Sequence, residues 1–277
     1  MKHLIAAFVV VAACTNSVAA LKIDPFKGPK PIAVLIQTNP WLSVIGSDTP
    51  RIAVYEDGQV IFLGKDKTLQ HKVLDGKGLT EIKQKLASFG DYSKLKSSYN
   101  LAPNVFDLPS TRMYLKPESR EYAVEIYGLM TEGTELPATS SFPGDEKPDK
   151  LPESLRALHS YLTSLTFPDS KPWKPAFVEA MIWSYEYAPE QSIHWPKEWP
   201  GLKSSNTLKR GDSYSIFLPG SDEAKLRAFL KTEKEKGAVE IDGKKWAVSV
   251  RRTFPSEPVW FKAFEKVWEE EAKKSKE

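Results

Sequence analysis

The chain has 277 residues, of which 41% are hydrophobic, 11% aromatic and 27% charged. This composition is typical of a folded globular protein and argues against intrinsic disorder. The net charge is only +3 and no basic stretch stands out, so a nucleic-acid partner is not expected. The single cysteine, Cys14, excludes an internal disulfide and a zinc site built from cysteines.

The first 20 residues have the features of an export signal. A basic start precedes an apolar stretch at 4–13 that is too short to span a bilayer, and Val18-Ala19-Ala20 offers small residues at the two positions that a signal peptidase reads. We therefore expect removal after Ala20 and an exported mature chain, periplasmic or secreted, without a transmembrane helix. The alternative is lipid anchoring through Cys14, because residues 11–14 (VAAC) resemble a bacterial lipobox.

The first half of the mature chain reads as strands followed by a helix and a hairpin. Residues 32–36 form an apolar run of strand length, and residues 51–63 (RIAVYEDGQVIFL) predict a β-hairpin that turns at Asp57-Gly58. Residues 79–89 carry apolar side chains at helical spacing, with Thr80 as the expected N-cap. Residues 111–127 predict a second hairpin.

The second half has a similar order of elements. A stretch rich in Gly, Pro and Ser at 131–150 predicts a linker, and a leucine stripe predicts a helix at 151–166. Strands at 177–187 and 213–218, a hairpin turning at Asp242-Gly243, and helices after Ser221 and near Pro258 follow.

These elements predict an α+β fold of mixed or antiparallel sheets with flanking helices. We expect a signal peptide at 1–20 and two similar lobes, at 21–150 and at 151–277, with the 151–166 helix in the second lobe. The shared order of elements suggests an old duplication, although few residues are identical between the halves.

Residues 50–127 resemble an uncharacterised domain family of exported bacterial proteins. The resemblance rests on the D-G-x-V hairpin at 57–60, the helix that follows it, a tyrosine-containing loop, and a strand ending in the V-x-x-Y step at 124–127. It implies export and an α+β architecture, and it brings no catalytic residues or cofactor.

Motifs that carry chemistry are weak in this sequence. Residues 211–213 (GDS) match the nucleophile block of one esterase class, but no histidine follows His194 to activate a serine, so a turn is the better interpretation of 210–213. Acid pairs such as Glu186 and Glu190 are expected by chance among 36 acids. No cofactor and no metal site is predicted.

Tryptophans beside prolines remain as the candidate site. Trp195 and Trp199 each precede a proline, and with Trp41 they could present flat faces to a sugar or a Pro-rich peptide, while His194 and Glu198 add polar contacts. The alternative is that the rings fill the core.

The sequence thus favours an exported, non-catalytic binding or envelope-associated protein, with envelope polysaccharide or peptide as the expected partner. The alternative is a hydrolase of envelope carbohydrate or peptide that works through carboxylates.

Overall fold

The computed structural model of the chain describes residues 21–38, 49–130 and 147–274. The predicted signal peptide with Cys14, the tryptophan Trp41, and residues 131–146 of the predicted linker lie outside these ranges. Within them, no helix is both long enough and apolar enough to cross a membrane.

An eight-stranded sheet forms the first structural unit, and its strand order is β5-β7-β6-β1-β2-β3-β4-β8. Its strands are β1 (Pro31–Gln37), β2 (Pro50–Tyr55), β3 (Gln59–Leu63), β4 (Leu69–Val73), β5 (Ser98–Asn100), β6 (Ser110–Leu115), β7 (Tyr122–Tyr127) and β8 (Lys171–Pro172). The central strand β1 is apolar and almost wholly buried because the sheet is covered on both faces. The predicted hairpins β2–β3 and β6–β7 are confirmed, and Gly58 supplies the positive φ of 87° at the first turn.

Two helices, α1 (Gly76–Ser88) and α2 (Glu153–Ser164), cover one face of this sheet. Helix α1 begins three residues before the predicted start, and its N-cap is Asp75 rather than Thr80. The Asp75 carboxylate accepts a hydrogen bond of 2.7 Å from the Gly78 backbone N–H. An aspartate in this position satisfies one of the free N–H groups of the first turn, and Thr80 lies inside the helix.

The packing of helix α2 differs from the predicted division of the chain at residue 150. Its leucines Leu155, Leu158 and Leu162 are buried in one core with Ile52 and Phe62 of the first sheet. The last helix, α4 (Glu257–Lys274), packs on the opposite face of the same sheet through Trp260 and Phe264. The first sheet therefore takes helices from the second half of the chain on both of its faces.

A six-stranded sheet forms the second unit, in the order β10-β13-β14-β9-β12-β11. Its strands are β9 (Phe177–Ser184), β10 (Ile193–His194), β11 (Thr207–Arg210), β12 (Ser213–Pro219), β13 (Val239–Ile241) and β14 (Lys244–Arg252), and the short helix α3 (Glu223–Leu230) packs on one face through Leu226. The α+β fold with two mixed sheets is thereby confirmed.

The two sheets share a spatial plan but not a connectivity. In each, the first strand in the chain lies between two hairpins, and a short parallel strand closes one edge. In the first sheet the leading strand of one hairpin, β2, adjoins β1, whereas in the second sheet the trailing strand, β12, adjoins β9. The different chain path argues against a simple duplication.

Backbone contacts of the lead-in segment join the two units. Residues 21–30 run between the end of the second sheet and the start of α4, where the Ser256 N–H donates to the Phe26 carbonyl over 2.6 Å. The Thr253 hydroxyl donates to the Pro25 carbonyl over 3.0 Å. A Cβ on Gly28 would lie 2.5 Å from the Pro255 Cβ, so this close approach requires glycine.

Candidate functional site

A cleft lies between the two sheets, and it has two connected parts. One part has a volume of about 500 Å³ and is bordered by Phe26, Met181 and the first turns of α4. The other part has a volume of about 580 Å³ and is bordered by strands β2, β4 and β14 and by helix α3. Thr49 and Arg251 line both parts, so the two volumes adjoin at these residues.

Two buried glutamates, Glu179 and Glu257, meet the partly buried Arg251 at the junction, and the three are called the acid–arginine triad below. Arg251 Nη2 lies 2.5 Å from a Glu179 carboxylate oxygen, and Arg251 Nη1 lies 2.5 Å from a Glu257 carboxylate oxygen. The glutamates are only 1% and 3% exposed. Isolated charges at such depth would be strongly disfavoured, so the triad exists because each carboxylate has the guanidinium as its partner.

Strand register and a helix start place the triad. Arg251 on β14 lies directly opposite Glu179 on β9 in an antiparallel pair, so their side chains share one face of the sheet. Glu257 is the first residue of α4, and its second carboxylate oxygen accepts a hydrogen bond of 3.1 Å from the Phe254 N–H. A second guanidinium, that of Arg210, lies 3.8 Å from Glu179.

The pKa values in the triad follow from burial and charge. Burial raises the pKa of the Glu257 carboxyl, the cation of Arg251 opposes this rise, and the negative charge of Glu179 adds to it. Burial lowers the pKa of Arg251, but the two carboxylates outweigh this effect and raise the pKa above its usual value. The guanidinium occupies the space between the two carboxylates, which is where a glycosidic bond would have to lie for acid–base catalysis.

The larger part of the cleft is rich in cations. Arg227 and Arg252 share the carboxylate of Glu223, each with its Nε 2.9 Å from a carboxylate oxygen. Arg51 and Lys67 line the same space, and neither has a carboxylate partner among the described residues. Among the described lining residues, positive charges therefore outnumber the one carboxylate, that of Glu223, and this part is called the cation-rich part of the cleft below.

A buried histidine, His159, lies beside the cation-rich part of the cleft, and its pKa is lowered. His159 on α2 is 6% exposed, and its Nε2 lies 3.2 Å from the side-chain nitrogen of Gln37, a residue that lines the cation-rich part. Burial lowers the pKa of His159, and the positive charges of Arg51 and Arg156 lower it further. A neutral imidazole is favoured here because an added proton would meet like charges.

The predicted tryptophan site differs from the arrangement that the structure forms. Trp195 and Trp199 are each 8% exposed, with ring centroids 5.0 Å apart, and both rings meet Phe229 edge-on. The Trp195 indole N–H donates to the Pro200 carbonyl over 3.0 Å. Both rings belong to the core of the second sheet, since large aromatic surfaces gain most from burial.

The polar partners predicted beside these tryptophans point elsewhere. His194 has an 80% exposed side chain that lies 3.6 Å from Glu240. The Glu198 carboxylate lies 3.4 Å from Lys225 Nζ, which also stands 5.5 Å from the centre of the Trp199 ring. Such exposed pairs contribute little to stability. The described members of the predicted site therefore do not line one groove.

Residues 210–213 form the predicted turn, with Arg210 ending β11, Ser213 starting β12, and Gly211 at a φ of 59°. The Arg210 Nε donates to the Ser215 hydroxyl over 2.8 Å, and its Nη2 faces Glu179. The Arg210 side chain therefore contacts neighbouring residues of the second sheet and does not lie free at the tip of the turn.

Sequence reasoning missed the acid–arginine triad. The available signal was Glu179, a lone acid inside the otherwise apolar strand FVEAMIW, together with the arginines that end β14.

Among the described residues, no group of three or more His, Cys, Asp or Glu side chains could hold a metal ion. No family model, no curated protein and no solved structure matches this chain.

Proposed function

We propose that the protein is an exported, non-catalytic binding protein whose ligand occupies the cleft between the two sheets. The cleft itself is the observation that carries this proposal. Each of its two parts has a volume within the range of small-molecule sites, it mixes apolar walls with charged groups, and side chains from both sheets and two helices converge on it. A fragment of envelope polysaccharide or peptide is the ligand class that fits an exported protein.

The binding function is tested by a thermal-shift screen with a matched blocked variant. Thr49 lines both parts of the cleft, so Thr49→Trp places an indole ring where they adjoin and obstructs both. A ligand at about a hundred times its Kd stabilises the folded state by about 2.7 kcal/mol, which raises the Tm by about 5–10 °C. We expect neutral sugars, short peptides or small anions to give such a shift with the wild type and none with T49W. If T49W responds as the wild type does, the ligand binds outside the cleft.

Hydrolysis is the second candidate, and the two buried carboxylates of the triad are the observation that favours it. A carboxyl with a raised pKa can act as a general acid, and Glu257 meets this condition. The position of Arg251 between the carboxylates favours a structural role instead. Turnover of an envelope sugar or peptide by the wild type, with loss of turnover in Glu257→Gln, would support the hydrolase.

Export rests on the first 20 residues alone and needs its own measurement. Mass spectrometry of the protein purified from its native host is expected to give a mature chain that begins at Leu21. A chain that begins at an acylated Cys14 would instead establish lipid anchoring. An intact Met1 on the native protein would contradict both forms of processing.

A further inference from the structure

The guanidinium groups of Arg227 and Arg252 are only partly used by their internal partner. Both contact Glu223 through Nε, and neither Nη group of either residue makes a hydrogen bond to the described part of the chain. Their side chains are 48% and 30% exposed at the wall of the cation-rich part. Glu223 therefore fixes the orientation of two guanidiniums whose Nη edges remain available to a ligand.

Charge in this part of the cleft is not balanced by the residues that the structure describes. Two guanidiniums share the one carboxylate of Glu223, while Arg51 and Lys67 add positive charge without a carboxylate partner in the described ranges. Burial is the main cause of the lowered pKa of His159, and the positive charge of Arg51 lowers this pKa further. A positive field between low-dielectric walls attracts and holds anions.

On the basis of the proposed binding function, we propose that the cation-rich part of the cleft takes a small molecule bearing two or more negative charges on phosphate or carboxylate groups. The planar guanidinium presents paired N–H donors that match the oxygens of such groups. Arg227 and Arg252 bind one anionic group from the helix α3 side, and Arg51 binds a second from the first sheet. The hydroxyls of Thr49 and Thr68, which also line this part, add neutral donors.

Isothermal titration calorimetry with sodium pyrophosphate and, separately, with sodium citrate tests the inference. We expect one-to-one binding to the wild type, and a fall in affinity as NaCl rises from about 0.1 M to 1 M, because the Debye length shrinks from about 10 Å to about 3 Å. Arg51→Gln and Arg227→Gln should each weaken binding by about tenfold to a hundredfold, the range for loss of one charged hydrogen bond. Thermal unfolding of each variant verifies that it folds.

Arg120→Gln is the matched control because it removes the same charge outside the cleft. Arg120 is exposed in the β6–β7 connection and stacks over Tyr122 at 5.3 Å. R120Q should keep the wild-type affinity within about twofold, since an exposed charge at a distance is screened by salt. Equal losses in R120Q and R51Q would mean that only net charge matters, and would overturn the inference.

Failure of this inference is distinguishable from failure of the proposed function. If neither anion binds the wild type, or if both bind R51Q and R227Q unchanged, the polyanion site does not exist. If a neutral ligand still raises the Tm of the wild type and not that of T49W, the cleft remains a binding site for uncharged molecules. If no compound distinguishes T49W from the wild type, both conclusions fall.

Discussion

Replacing Arg251 by methionine is expected to destabilise the protein by about 3–5 kcal/mol at pH 7, the range for breaking a buried ion pair from one side. The substitution keeps most of the side-chain volume but leaves Glu179 and Glu257 buried without their shared cation. The Tm should fall by about 6–20 °C for a chain of this size. Urea denaturation followed by circular dichroism measures the loss directly.

The pH dependence of this loss identifies its cause. Burial raises the pKa of the Glu257 carboxyl, and loss of the guanidinium removes the charge that opposes this rise. In R251M the folded state therefore holds the Glu257 proton more readily than the unfolded chain does, so stability should be highest in acid and fall as the pH rises through this raised pKa. The difference from the wild type should shrink toward about pH 4 and be largest at neutral pH and above.

Two further variants separate charge from packing. Arg156→Met changes an exposed arginine on α2 that has no ion pair within the described residues, and it should cost no more than about 0.5 kcal/mol. In the triple variant E179Q/R251M/E257Q no charge is left in the triad, so most of the lost stability should return. A fully stable R251M would show that the triad does not hold the units together, and would reopen its role in chemistry.

The hairpins and helices of this fold can be predicted from the sequence because each depends on residues that are close together in the chain. The hairpin turns at Asp57-Gly58 and Asp242-Gly243 need positive φ, and both are formed where the sequence places them. The leucine stripe of α2 likewise predicts a helix with one buried face. A stripe specifies that a face is buried, but not against which sheet, and in the fold this face packs on the first sheet.

The cleft could not be predicted from the sequence, because the residues that form it are far apart along the chain. Glu179 and Arg251 are 72 positions apart, and they meet only because the register of β9 against β14 places them opposite each other. Register between distant strands follows from the whole sheet, not from a motif. By contrast, the tryptophans near the 195–200 loop stand out in composition, yet composition does not distinguish a ring that binds a ligand from one that fills the core.

Trp195→Ala is expected to cost about 3–5 kcal/mol, the range for removing a buried tryptophan from a core. The ring is 8% exposed, packs edge-on against Trp199 and Phe229, and donates one hydrogen bond to the Pro200 carbonyl. Its loss leaves a cavity between the second sheet and α3 together with an unpaired carbonyl. Differential scanning calorimetry should record a Tm lower by about 6–20 °C.

Trp183→Ala is the matched control because that ring belongs to the same sheet but is 38% exposed. It should lose no more than about 1 kcal/mol. Ligand binding separates the two roles of Trp195. If the Trp195 ring only packs in the core, the W195A protein that is still folded at low temperature should bind the same ligand that raises the Tm of the wild type. A W195A variant with wild-type stability and no ligand response would place the tryptophan pair in a binding site instead.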